Sequence, residues 1–323
     1  MNSFGTIFSI NLFGESHGKS VGVTIDGCPA GIAINEIDFI PFLDRRRGGS
    51  IGGTPRKEED IPLFLSGIFK GFTTGAPITI IFENNNIRST DYEEIKNIPR
   101  PGHADFVINK KFNGFNDYRG GGHSSGRLTL PLVAAGVVAF KILQGVSIHA
   151  TLIEAGGNTN IEEAIAHAIK NQDSIGGIVC CNVKGLTVGL GEPFFNSIES
   201  LISHAVFSIP AIKGIEFGSG FKSAAMTGSM HNDAILDEYG TTNSNNAGGI
   251  NGGISNGNSI VFRVAVKPTS STPKEQNTWN NKTQSIQPFT VKGRHDLCIA
   301  LRVPVVIEAV TAIVLADLFL IKR

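Results

Sequence analysis

The stretch VPVVIEAVTAIVLADLFLI, Val303 to Ile321, decides the fold. It is apolar nearly all round, so a helix built from it must be covered on every side. Spanning a bilayer takes about 20 uninterrupted apolar residues. Glu308 and Asp317 break this run and leave eight residues between them. A core helix is therefore expected. Leu132 to Leu143 has the same all-round character. Two such helices need further layers to bury them.

The rest of the chain supplies those layers. Val21 to Ile25, Ile78 to Phe82, Ser147 to Ile153, Ile178 to Val183 and Ile260 to Val266 read as strands. They are rich in β-branched residues and bounded by Gly, Pro or Asn. Helical patterns interleave with them. Ile161, Ile165, Ala168 and Ile169 follow Asn160, with Glu163 placed as its capping-box partner. Ile198, Leu201, Ile202, Ala205, Val206 and Ile209 form a stripe ended by Pro210. Ile37, Ile40 and Leu43 suggest a helix that Pro41 would kink. No Pro/Ser-rich linker divides the chain, so one α+β layered unit over residues 1–323 is expected. TTNSNNAGGINGGISNG, Thr241 to Gly257, reads either as a flexible loop or as an ordered Gly-rich turn.

Composition narrows the function. Lys+Arg and Asp+Glu each number 28, so the formal charge is zero, against a bulk nucleic-acid binder. Four cysteines in 323 residues are too few for a disulfide framework and suggest a reducing compartment. Cys298 with His295 is a weak metal spacing, and no metal site is expected. The N-terminus MNSFGTIFSINLFGESHG lacks a basic segment before an apolar run, so a cytoplasmic protein without a membrane partner is expected. Glycine is over-represented, 39 residues or about 12%, against about 7% on average. Its clusters mark tight turns or backbone held close to a ligand.

Four short segments place His, Ser or Arg beside such glycines: GESHG (Gly14 to Gly18), RPGHAD (Arg100 to Asp105), RGGGHSSGR (Arg119 to Arg127) and GRHD (Gly293 to Asp296). Four of eight histidines lie in these turn-like contexts, which points to function rather than packing. Arg45-Arg46-Arg47 before Gly48-Gly49 reads by itself as a solvated helix end. Together with Arg100, Arg119, Arg127, Arg294 and Lys267 it becomes a cationic pocket in a neutral protein. Guanidinium groups match carboxylate and phosphate, so a small polyanion is the expected ligand. Asp44 and the run Arg56 to Asp60 read as ordinary surface charge. The chain has no Walker phosphate loop, no dinucleotide glycine fingerprint and no nucleophile elbow.

These motifs, with LDRRR (Leu43 to Arg47), SGIFKGFTTGAPI (Ser66 to Ile78), GLGEP (Gly189 to Pro193), NNAGGINGGISNG (Asn245 to Gly257) and KPTSS (Lys267 to Ser271), run in an order that resembles the chorismate synthase family nearly end to end. The resemblance implies a β-α-β sandwich, a homotetramer and reduced FMN (FMNH2) as cofactor. It implies conversion of 5-enolpyruvylshikimate 3-phosphate to chorismate and phosphate by anti-1,4-elimination, with an external flavin reductant. On that basis His17 protonates the leaving phosphate, His103 sits by the flavin, and Ser16 with Asp296 relays a proton. Arg45, Arg46, Arg127 and Arg302 would neutralise the substrate. His123, Ser124, Ser125, Pro210, Ala211, Gly252, Lys267, Pro268, Thr269, Ser270, Ser271 and Arg294 would hold FMN. The family usually has Arg at His123, Ala at Gly126, Asn at Pro210 and Pro at Leu297, and GGSIGG (Gly48 to Gly53) lacks its usual Pro and later Arg. A flavin or polyanion binder that has lost catalysis is the alternative. A nucleic-acid module using the same arginines is a weaker one.

Overall fold

The computed structural model describes residues 2–49, 51–53, 59–85, 95–291 and 295–322. Strands β1 (Ser3–Phe4), β2 (Ser9–Gly14) and β3 (Ser20–Asp26) open the chain. Helix α1 (Ile40–Arg46) leads to β4 (Leu63–Ser66), a hairpin of β5 (Ile68–Phe69) and β6 (Phe72–Thr73), and β7 (Ile78–Glu83). Helices α2 (Asp105–Lys111) and α3 (Thr129–Ile142) precede β8 (Ser147–Ala155), α4 (Ile161–Asn171), β9 (Gly177–Lys184), α5 (Ile198–Phe207) and β10 (Ile212–Phe217). Then come α6 (Gly228–His231), the hairpin β11 (Ile250–Asn251) and β12 (Ile254–Ser255), β13 (Ile260–Val266), the hairpin β14 (Gln276–Asn280) and β15 (Ser285–Phe289), and α7 (Val303–Lys322).

One antiparallel sheet has five strands in the order β1-β2-β3-β7-β4; the other has four, β10-β13-β9-β8. Helix α3 packs on the first sheet, α7 on β8 and β9 of the second, and the two helices on each other. This is the expected β-α-β sandwich. Every residue from Thr129 to Ala139 and from Val305 to Leu318 is buried, as apolar helices between two sheets must be. The helices cross where Gly136 meets Ala309: a Cβ on Gly136 would lie 2.4 Å from the Ala309 Cβ.

The two acids inside α7 have specific partners. Asp317 accepts the backbone N–H groups of Thr6, Ile7 and Phe8 at 2.8, 2.7 and 2.9 Å. Glu308 accepts both Arg45 Nη groups at 2.6 and 2.8 Å and the Ala150 N–H at 2.8 Å. Buried carboxylates persist only when so satisfied.

All five expected strands form. Asn160 caps α4 by accepting from the Glu163 N–H, but the Glu163 carboxylate takes the Asn158 amide at 3.3 Å, so the capping box is half made. Pro41 does not kink a helix. It stands in the first turn of α1, where its missing N–H is harmless. Ile37 and Ile40 point outward, and Phe39 and Leu43 are the buried pair. Thr241 to Gly257 is ordered: Asp233 accepts from the N–H groups of Asn246 and Ala247, both at 2.8 Å.

Candidate active site

A cavity of about 740 Å³ opens where the loops of both sheets meet the ends of α3, α5 and α7. That volume suits a small-molecule ligand. One wall is apolar, with Leu12 from β2, Leu132 from α3, and Val310 and Ile313 from α7. The other walls are polar loops, and each motif reaches them by identifiable bonds.

The β2–β3 turn carries Ser16 and His17. Asn84, just past β7, donates from its amide to the carbonyls of Glu15 and Gly18 at 3.1 and 3.0 Å and so fixes this turn. Gly120, Gly121 and Gly122 lie over it with φ of +60°, +82° and +54°, a run that only glycine adopts freely. A Cβ on Gly120 would stand 2.5 Å from His17 Cδ2 and 2.9 Å from Ser16 Oγ. The glycines thus bring backbone against the imidazole. Ser16 lines the cavity, whereas His17, 4% exposed, lies beneath its wall.

The arginines come from three elements. Arg46, at the end of α1, donates from Nε to Thr129 Oγ1 at 3.1 Å and from Nη2 to the Gly126 carbonyl at 3.3 Å. Arg127 donates from Nε to Asn84 Oδ1 at 3.0 Å. Asp60 lies between them, one carboxylate oxygen to each. The sequence reads it as surface charge; in the fold it is a buried counter-ion of Arg46 and Arg127. Arg302 pairs with Asp296. Burial, and then Arg302 and Arg127, lower Arg46 to about 9 despite Asp60. Arg46, Arg47, Arg100, Arg127, Arg302, Lys213 and Lys267 line the cavity against Asp60 and Asp296. A chain of zero net charge therefore concentrates positive charge here.

RPGHAD and KPTSS interlock on the opposite side. Arg100 forms a two-pronged pair with Asp105, both bonds 2.8 Å, and donates to Ser271 Oγ at 3.1 Å. His103 Nδ1 lies 2.7 Å from Asp105 Oδ1 and 3.1 Å from Arg100 Nη2; the shorter contact is to a carboxylate, which only accepts, so Nδ1 is the donor. Burial alone would raise the Asp105 carboxyl; Arg100 and His103 outweigh it and hold it well below the usual carboxylate range. Lys267 Nζ donates to Ser270 Oγ at 2.7 Å and to the Gly102 carbonyl at 2.8 Å. Its own value is lowered, by burial and then by Lys213. Ser124, Ser125, Pro210, Ala211, Pro268 and Thr269 complete this side of the cavity. Ala211 has φ +75°, a strained conformation held by the bond from the Lys267 N–H to its carbonyl at 2.9 Å. His123 is on the rim, Nδ1 at 2.7 Å from the Gly14 carbonyl and Nε2 at 3.1 Å from Asn2 Oδ1.

Some expected members stand elsewhere. Arg45 is committed to Glu308 and does not line the cavity. Gly252 is in the exposed β11–β12 turn and does not line the cavity. Ser16 and Asp296 both line the cavity but are not bonded to each other, since Ser16 Oγ is buried without a partner. Arg294 lies outside the described residues. Asn84, Asp60 and the apolar wall were missed: an Asn after a strand, an Asp in an acidic run and core-type leucines carry no local signal. Among the described residues no group of His, Cys, Asp or Glu could hold a metal ion.

Among the described residues, four buried polar atoms around the cavity lack partners: Ser16 Oγ, Arg47 Nε, Thr269 Oγ1 and Arg302 Nε. Such atoms are costly unless a ligand meets them. A cationic, partly apolar cavity with prepaid donors belongs to an enzyme that acts on a small polyanion. Comparison with known proteins makes this specific. The family model described as chorismate synthase matches residues 8–320. A chorismate synthase of Chitinophaga pinensis is 65% identical over 100% of this chain and 98% of its own. One from Methanocaldococcus jannaschii is 42% identical over 99% of this chain and 96% of its own. A crystal structure of chorismate synthase superposes with TM-score 0.75 at 27% identity, covering 99% of this chain and 93% of that one. The chain belongs to the chorismate synthase family. Its function is that of the family, a lyase step of the shikimate pathway.

Proposed function

We propose that this cavity converts 5-enolpyruvylshikimate 3-phosphate to chorismate and phosphate with the help of reduced FMN. The observation that carries the reading is the excess of cations over carboxylates around one cavity that also has an apolar wall. The substrate bears two carboxylates and a phosphate, and Arg46, Arg127 and Arg302 supply matching donors. The reaction breaks the bond from carbon to the phosphate oxygen and removes a proton from C6, with no net oxidation.

FMN fits the residues present. Lys267, Thr269, Ser270 and Ser271 would hold its phosphate end, with the unpartnered Thr269 Oγ1 as a free donor. Ser124, Ser125, Pro210 and Ala211 would line its ring and ribityl chain. The chemistry it supplies when bound is electron density, lent to the substrate as phosphate departs and recovered as the C6 hydrogen leaves. His103, oriented by Asp105 through Nδ1, lines the cavity beside the proposed flavin position. His17 would be the general acid for the departing phosphate, and its imidazole lies against Gly120, which lines the cavity. Ser16 and Asp296, both on the cavity wall, would relay the C6 proton, with the Asp296 carboxylate as its acceptor. Substrate entry brings Ser16 Oγ its missing partner.

A homotetramer and a cytoplasmic location complete the reading. The exposed Phe194, Phe195 and Phe221, each more than 85% accessible in the isolated chain, support burial against other copies. The Gly252 turn and Arg45 have no part in the protomer's cavity. FMN affinity tests the cofactor assignment: Lys267→Ala should weaken binding about tenfold by flavin fluorescence. Equal affinity in the variant would remove the KPTSS turn from the cofactor site.

A further inference from the structure

The residue that organises the arginines is an acid. Asp60 is 6% exposed and its side chain sits between two guanidinium groups that are themselves buried. Oδ1 accepts from Arg127 Nη1, and Oδ2 accepts from Arg46 Nη1 at 3.4 Å. Two cations brought to one buried place repel each other, and burial strengthens that repulsion. A carboxylate bridging them removes it and fixes their separation.

We propose that Asp60 is a positioning residue of this site: its carboxylate sets where Arg46 and Arg127 sit and which of their N–H groups stay free for the anionic substrate. Each guanidinium has five N–H donors. Arg46 commits one to Thr129, one to Gly126 and one to Asp60. Arg127 commits one to Asn84, one to the Glu83 carbonyl and one to Asp60. Among the described residues, two donors on each arginine therefore remain for a ligand. Asp60 also leaves the pair with a net positive charge, enough to attract an anion without two bare cations in the wall. Its backbone lies at φ +53°, a conformation Asp tolerates better than most residues. The charged groups facing Arg46 are Asp60, Arg127, Arg302 and Asp296. Asp60 supports the protonated form of Arg46, so loss of its charge lets the guanidinium lose its proton at lower pH.

The proposal rests on the reading that the substrate enters this cavity, and the test separates the two. Wild type, Asp60→Asn and Asp60→Glu are compared by steady-state turnover of 5-enolpyruvylshikimate 3-phosphate with reduced FMN across pH. Binding of inorganic phosphate is measured on the same proteins by calorimetry. Asp60→Glu keeps the charge but displaces it: KM should rise about tenfold, with the basic limb of kcat/KM unmoved. Asp60→Asn should raise KM by at least as much and shift that limb down by about one pH unit. A merely structural role would lower the yield of folded enzyme and leave KM and the limb of the remainder unchanged, and that result overturns the proposal. If Asp60→Asn does not fold, a wild-type KM in Asp60→Glu overturns it alone. Wild type that binds phosphate without turnover contradicts the functional reading. Variants that then bind phosphate as wild type does contradict the role of Asp60. Wild type that does neither contradicts both.

Discussion

Arg46 shows what a single residue contributes. Its guanidinium is held near 9 by burial and by Arg302 and Arg127, so it is charged at neutral pH and loses that charge in the mildly basic range. In the proposed reading, substrate capture needs the charged form. kcat/KM should therefore fall as pH rises through about 9, and a flat profile to pH 10 would remove Arg46 from the binding step. His17→Ala should lower kcat by about 10² or more while phosphate affinity is kept; unchanged kcat would rule out the proposed role as general acid. Asp105 has the opposite linkage. Its folded value is depressed below the ordinary 3.8, so its stabilising effect is full above that value. It drains only as pH falls towards the folded one. Asp105→Asn should make stability less sensitive to acid below about pH 4, as measured by urea unfolding; an identical acid profile in the variant would contradict the assignment. Most of these residues were legible as residues. His17, His103 and the arginines stood out because glycine beside an ionisable side chain is a functional signature. Asp60 did not, since an acid next to Glu59 looks like solvated charge until tertiary folding turns it inward.

At the scale of elements, the all-round apolar character of α3 and α7 located both in the core from sequence alone. Their closest approach was not legible. Gly136 looks like any glycine in a helix, and only the packed structure shows Ala309 on its Cα. Gly136→Val should destabilise the protein by about 1–3 kcal/mol through overpacking. Gly228→Ala, with nothing within 4 Å of its added Cβ, should be close to neutral. Thermal unfolding of the two variants checks the contrast, and equal Tm values would mean that the helices do not cross so tightly. The Pro41 expectation failed for a related reason. Periodicity does not locate a helix start, and a proline in the first turn begins a helix while one further in bends it. The Ser16–Asp296 pair likewise depends on how the β2–β3 turn and the segment before α7 meet, which no local pattern specifies.

For the molecule as a whole, zero net charge hides an uneven distribution. The cavity gathers arginine and lysine side chains, with Asp60 and Asp296 as the only carboxylates in its lining among the described residues. A focused positive potential speeds the arrival of an anion and is screened by salt. kcat/KM should thus decrease between about 0.02 and 0.2 M salt, and salt-independent values would contradict electrostatic capture. The sandwich itself makes the site possible: two sheets clamp α3 and α7, and loops from both converge at the helix ends. The measurement that tests the central claim most directly is anaerobic turnover of 5-enolpyruvylshikimate 3-phosphate, with and without dithionite-reduced FMN, following phosphate and chorismate together. The account predicts equal release of both products, and only with reduced flavin present. Flavin binding without either product, or release of phosphate without chorismate, would contradict it.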